Sequence, residues 1–193
     1  MRELKAELRS QRLALRDAIS PEDRIEKSLA IASFGIQGMI FKPGTIISGF
    51  LPIRSEVDLR PLMILLRQAG ARLCLPAIID RQTIVFREYF GDHALVPGVF
   101  GTSSPGPDAA ELDPEILLVP LSAFDAKGHR IGYGAGHYYR AIDRLHKKAL
   151  VPQLIGIAFD CQEVASVPAE PHDIGLDAML TESGLRYFAR QIG

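Results

Sequence analysis

Neither sign of charge predominates in this chain. Its 22 lysines and arginines are matched by 23 aspartates and glutamates, for a formal net charge of −1, so there is no general electrostatic drive toward nucleic acid or an anionic membrane. Any phosphate must be held locally. Long apolar runs are also missing: none approaches the ~18 residues needed to span a bilayer, and Met1, Arg2 and Glu3 lack the apolar stretch of a signal peptide. A cytoplasmic protein with no membrane or nucleic-acid partner is expected. Cysteine is scarce. Cys74 and Cys161 have no metal-site spacing and lie in apolar surroundings, which predicts two buried free thiols rather than a disulfide. The sequence shows no internal repeat, low-complexity tract or linker. With 193 residues at 47% hydrophobic content, it has enough material for one globular domain spanning 1–193.

Residues 132–139 read Gly-Tyr-Gly-Ala-Gly-His-Tyr-Tyr. Glycines at alternate positions free the backbone for positive φ and let amide N–H groups face one anion. The stretch follows an apolar run (116–119, then Pro120 and a turn at 125–128) and precedes a helical pattern, so it is expected at a helix N-terminus, where the dipole favours phosphate. It is neither a Walker A loop, lacking Gly-Lys-Ser/Thr, nor the Gly-x-Gly-x-x-Gly dinucleotide fingerprint. Tight turns without a ligand also use such glycines. Lys127, His129 and Arg130 upstream and Arg140 downstream supply positive charge, as ordinary solvated residues also would.

Periodicity predicts an α/β architecture. Residues 2–19 read as a helix with Leu4, Leu8, Leu15 and Ile19 on its apolar side and Lys5, Arg9, Arg12 and Arg16 largely off it. Lys5 and Arg9, four apart, could grip one anion or form a plain solvated face. Ser20, Pro21 and Asp23 start a second helix with Ile25, Leu29, Ala32 and Ile36 as its buried stripe. A strand at 45–51, a helix at 59–68 and a strand at 72–75 form one unit of a parallel sheet. Ligands bind beyond the carboxyl ends of such strands, which places Glu56 within reach of one. A more exposed strand is expected at 83–89 and a long aperiodic binding loop or lid at 92–114. Residues 137–149 should be helix, 154–159 strand, 179–180 a short edge strand and 185–191 a closing helix. Glu170, His172, Asp173, Asp177, Thr181 and Glu182 form a second polar cluster, suited to Mg²⁺ with substrate phosphates or to a simple surface loop.

Four blocks in order resemble the 5-formyltetrahydrofolate cyclo-ligase family: Lys5-x-x-Leu8-Arg9; residues 52–58 with Glu56; residues 119–138; and residues 167–182. The resemblance implies a single three-layer α/β domain with a mostly parallel central sheet flanked by helices. It also implies ATP- and Mg²⁺-dependent conversion of 5-formyltetrahydrofolate to 5,10-methenyltetrahydrofolate, releasing ADP and phosphate. A monomer is expected. Carried over, ATP would be held by Lys5, Arg9, Arg130, Gly132, Tyr133, Gly134, Ala135, Gly136, His137 and Tyr138. The reduced folate would meet Glu56, Gly134 and Tyr138, and Asp177 would help to hold Mg²⁺. Two positions depart from the family pattern. Tyr139 stands where members carry a metal-site aspartate, and Ser104-Pro105 where they often carry Glu-Pro. A phenol cannot replace a carboxylate opposite Mg²⁺, so the alternative is a catalytically impaired folate- or nucleotide-binding module.

Overall fold

Short runs rich in isoleucine, leucine and valine, bounded by proline and glycine, pair into a seven-stranded sheet in the computed structural model, which describes residues 1–91 and 94–189. In chain order the helices are α1 (Arg2–Asp17), α2 (Pro21–Gly38), α3 (Arg60–Gln68) and α4 (His137–Lys147). The strands are β1 (Ile46–Ser48), β2 (Arg72–Ile78), β3 (Ile84–Glu88), β4 (Leu95–Pro97), β5 (Ser103–Pro105), β6 (Ile116–Pro120), β7 (Ala123–Phe124), β8 (Arg130–Ile131), β9 (Gln153–Ile157), β10 (Ala178–Thr181) and β11 (Gly184–Tyr187). The sheet runs β11-β10-β9-β6-β1-β2-β3, with the five inner strands parallel and β3 and β11 antiparallel at its edges.

Period-two alternation sends successive side chains to opposite faces. Ile47, Leu73, Leu118, Ile155 and Leu180 meet α2 and α3 on one side. Cys74, Leu117, Val119, Leu154 and Met179 meet Ala141, Ile142 and Leu145 of α4 on the other. The result is three layers. Leu118 is fully buried at the centre of the first cluster. Leu118→Ala should cost about 2–5 kcal/mol of stability through lost burial and a residual cavity. Urea unfolding followed by far-UV circular dichroism measures this, and a change under 1 kcal/mol would contradict it.

The helical faces differ most from expectation. On α1, Leu4 and Leu15 are 49% and 47% exposed, whereas Arg16 is only 4% exposed. The side turned inward carries Lys5, Leu8, Arg9, Arg12, Leu13 and Arg16. Acceptors on the loops it covers pair with these cations and hold that side of the helix inward. On α2, Ser20 caps the helix as expected, accepting the Asp23 N–H at 3.1 Å. Its buried stripe, however, is Ser28, Ile31, Ala32 and Gly35, with Ile25 and Leu29 exposed. The small residues let α2 approach α3, and Leu62 lies against Gly35.

Other boundaries also shift. β1 is shorter than the expected strand at 45–51. β2 continues through Pro76 because β1 pairs only its Arg72, Leu73 and Cys74; beyond them it has β3 alone as partner, and an absent N–H costs nothing on the open side. The expected loop at 92–114 is not structureless over its described residues 94–114: β4 and β5 pair as a hairpin, with Ser104 buried in β5, and 92–93 lie outside the described residues. β10 lies between β9 and β11 rather than at an edge, and 184–187 is the edge strand β11, not the start of a helix. The expected end of that helix at 190–191 lies outside the described residues. Cys74 is buried, its thiol pushed up to about 12 by desolvation, but Cys161 is only half-buried; both are free.

Candidate active site

The first helix reaches the carboxyl end of the sheet through its basic stripe. Lys5 Nζ lies 2.9 Å from Asp173 Oδ2 and 3.3 Å from Glu170 Oε2. Arg9 Nε donates to the Gly132 carbonyl at 2.8 Å, and its guanidinium lies against Gly134. Arg12 donates to the Cys161 carbonyl at 3.2 Å. Arg16 donates through Nε to Ser55 Oγ at 2.9 Å and through Nη1 to the Tyr133 hydroxyl at 2.6 Å.

Glu56 lies under the glycine stretch, 6% exposed. The Ile53 N–H donates to Oε1 at 2.8 Å and the Tyr133 hydroxyl to Oε2 at 2.9 Å. Burial pushes this carboxyl above the usual range; the Ile53 and Tyr133 hydrogen bonds and the Arg16 charge offset part of the rise. Burial likewise raises the Tyr133 and Tyr138 phenols, with neighbouring Glu56 acting in the same direction.

The glycine stretch enters α4 through two left-handed residues, Gly134 at φ 97° and Gly136 at φ 70°. A side chain at either would strain the backbone. Gly136 is the N-cap and no side chain caps the helix, so the first-turn amides have no side-chain acceptor. Arg140 braces the stretch from behind, donating to the Ala135 carbonyl at 2.7 Å and the Gln82 carbonyl at 2.6 Å. His137 Nε2 and the Tyr138 hydroxyl are buried without a hydrogen-bond partner.

The loop before β10 closes the site. Arg130 donates to the Ile174 carbonyl; burial lowers its pKa, against the charges of Asp173 and Tyr138. Among the described residues, Glu170, His172 and Asp173 present ligand atoms within 4.8 Å of one another, a spacing that one cation could bridge. His172 meets the Tyr139 ring edge-on, with centroids 6.5 Å apart. Burial opposes ionisation of Asp173, but the Glu170 N–H and Lys5 hold its carboxyl below the usual range. Lys5 is itself raised: burial acts downward and its two acidic partners outweigh it.

The sequence profile of the 5-formyltetrahydrofolate cyclo-ligase family matches residues 1–182. The chain belongs to this family and is a ligase-class enzyme. The 5-formyltetrahydrofolate cyclo-ligase of Escherichia coli strain K12 is 31% identical over 177 residues, covering 87% of this chain and 94% of the relative. That of Mycolicibacterium smegmatis is 34% identical over 146 residues, 72% and 74% of the two chains. The NMR structure of Aquifex aeolicus 5,10-methenyltetrahydrofolate synthetase superposes with a TM-score of 0.81 at 29% identity, covering 98% of this chain and 96% of that one.

The residues carried over from the cyclo-ligase pattern do not all meet. Lys5, Arg9, Arg130, Glu56 and the 132–138 stretch surround one region. Asp177 does not join them. Its Oδ2 accepts the Leu154 N–H at 2.8 Å near the amino end of β9, whereas the others gather beyond the carboxyl end of β6, around Leu121. The carboxylates beside Lys5 are those of Glu170 and Asp173, the latter four residues before Asp177, and His172 between them is the residue that meets Tyr139. Arg16, Ser55 and the Tyr133–Glu56 contact were missed from sequence. The signal for Arg16 was the 5, 9, 12, 16 spacing, which continues the Lys5 and Arg9 face for two more turns.

Proposed function

We propose that this cyclo-ligase family member closes 5-formyltetrahydrofolate to 5,10-methenyltetrahydrofolate at the expense of ATP. The observation that supports this best is the inward basic stripe of α1: Arg9 donates to the glycine stretch whose Tyr133 hydroxyl donates to Glu56, and Lys5, one turn earlier, meets the Glu170–Asp173 loop. One end of the site thus suits phosphates and the other an N–H-rich heterocycle such as a pterin, within a single rigid frame.

In the reaction the formyl oxygen attacks the γ-phosphorus and ADP leaves. N10 then adds to the activated carbon, its proton is lost, and departure of inorganic phosphate leaves the methenyl cation. Such phosphoryl transfer needs positioning and charge neutralisation more than covalent help from the protein. Lys5 and Arg9 neutralise the phosphates, while the uncapped N–H groups of the first turn of α4 donate to phosphate oxygens along the dipole. Gly134 and Tyr138 abut the formyl group, and the ionised Glu56 accepts from pterin N–H donors. Binding of phosphates competes with Glu170 and Asp173 for the Lys5 ammonium.

Magnesium takes oxygen ligands, so the carboxylates of Asp173 and Glu170, rather than the His172 imidazole beside them, would hold it, and it would supply further neutralisation of phosphate charge there. Tyr139 brings no carboxylate to that set. Tyr139→Asp should therefore lower the Mg²⁺ concentration needed for half-maximal turnover by about tenfold. A Mg²⁺ titration of both proteins measures it, and coincident curves would remove position 139 from the metal site.

The deciding experiment is a spectrophotometric assay of methenyltetrahydrofolate formation from 5-formyltetrahydrofolate and ATP. Turnover that requires both substrates supports the proposal. Tyr139 favours a second reading, a folate- or nucleotide-binding module impaired in turnover. Thermal stabilisation by 5-formyltetrahydrofolate or ATP without methenyl formation would select it.

A further inference from the structure

Arg16 belongs to neither the phosphate end nor the folate end of the site as described, yet it is the most buried residue of α1. We propose that Arg16 is a positioning residue for the folate, fixing the Glu56 carboxylate through Tyr133 and tying it to the nucleotide loop. The inference rests on the functional reading above.

A phenol has one proton to give. Arg16, which can only donate, occupies a lone pair of the Tyr133 oxygen at 2.6 Å and leaves the hydroxyl proton for Glu56 Oε2 at 2.9 Å, with the Leu121 carbonyl farther off at 3.3 Å. The Ile53 N–H engages the other oxygen. Each Glu56 oxygen therefore has its orientation set before substrate arrives and retains a lone pair for it. Arg16 also fixes the preceding residue, because Ser55 accepts from its Nε and donates to Asp17. The guanidinium lies 5.8 Å over the Tyr133 ring, which hinders any swing of the phenol.

Charge adds to geometry. The ionisable groups facing Glu56 are Arg16 of α1, Tyr133 of the glycine stretch and Tyr138 of α4, with Asp17 reached through Ser55. Arg16 is the full positive charge in that set. A carboxylate that accepts from pterin N–H groups must be ionised, so folate affinity falls as the pH drops through the Glu56 pKa. Removing Arg16 favours the protonated form and moves that fall to higher pH.

Calorimetric titration with 5-formyltetrahydrofolate from pH 5 to 8, together with steady-state kinetics, tests this on the full chain, R16M, R16K and Y133F. R16M should raise the folate Kd at pH 7 about 10- to 100-fold and shift the acid limb upward. Its folate KM should change more than its kcat. R16K should recover part of the affinity, since it restores the charge without the fork. Y133F should move the limb in the same direction. A purely structural arginine would lower the thermal midpoint and leave Kd and the acid limb of the folded protein at their original values, which would overturn the proposal. If R16M fails to fold, Y133F decides: an unchanged Kd and limb overturn it. Absence of folate binding by the unmodified chain would overturn the functional reading itself, whereas binding indifferent to the variants overturns this inference alone.

Discussion

Replacing Glu56 by glutamine is expected to lower kcat/KM for 5-formyltetrahydrofolate on the order of a thousandfold, about 4 kcal/mol, while the KM for ATP stays within a few-fold. The amide is nearly isosteric, so the loss is electrostatic. One acceptor oxygen becomes an NH₂ that faces N–H donors of the ligand, and the buried Arg16 loses the carboxylate that its charge faces. Stability moves differently. Because folding raises the Glu56 pKa, the ionised carboxyl costs stability above that pKa, and the cost disappears as the pH falls through it. The glutamine variant is free of this dependence. The acid limb of kcat/KM should vanish with the carboxyl, and steady-state kinetics between pH 5 and 8 measure both effects. A loss under tenfold, or a larger effect on ATP than on folate, would remove Glu56 from the folate site.

Lys5→Ala should raise the ATP concentration for half-maximal velocity by about 30- to 100-fold, corresponding to the loss of charge-assisted contacts worth about 2–3 kcal/mol. Its effect on folding should be small. The Lys5 pairs with Glu170 and Asp173 are partly exposed, and such bridges contribute at most about 1 kcal/mol. Their pH window follows from the two shifts. The raised Lys5 pKa means that its contribution is present below the unfolded value and is lost as the pH rises through the folded one. The depressed Asp173 pKa means the reverse on the acid side, with loss as the pH falls through the folded value. Between about pH 4 and pH 10 the contact is intact. An ATP titration with folate saturating, beside a thermal melt of each protein, separates the two effects; unchanged ATP dependence would exclude Lys5 from the phosphates.

The parallel strand-helix-strand unit was legible because periodicity and punctuation agreed there: Gly44 before β1, Gly70 after α3, and apolar residues between them at strand and helix spacing. The glycine stretch at a helix start was legible for the same reason. The helical faces were not. Ile25 and Leu29 suit a buried stripe by hydrophobicity, yet close approach to α3 selected Ser28, Ala32 and Gly35, a requirement set by the partner helix and invisible along the chain. Leu185 and Tyr187 alternate with Gly184 and Arg186, but four residues are too few to tell a strand from a helix start; pairing with β10 decides it. At the site, spacing alone left Lys5 and Arg9 open between an anion grip and a solvated face, and the family resemblance that singled them out pointed to Asp177, whereas the acid that meets Lys5 is Asp173, four residues earlier.

The inside-out seating of α1 gives the amino end of the molecule a character of its own. Leu8 apart, this helix is clasped mainly by directional contacts from Lys5, Arg9, Arg12 and Arg16, not by the apolar clusters that unite the sheet with α2, α3 and α4. Such a clasp is loosened by ionic strength and by competing polyanions, agents to which the sheet is nearly indifferent. The Met1 carbonyl accepts the Lys5 N–H at 3.0 Å, within the first turn. An affinity tag or fusion placed ahead of Met1 would therefore adjoin the residues proposed to grip phosphate.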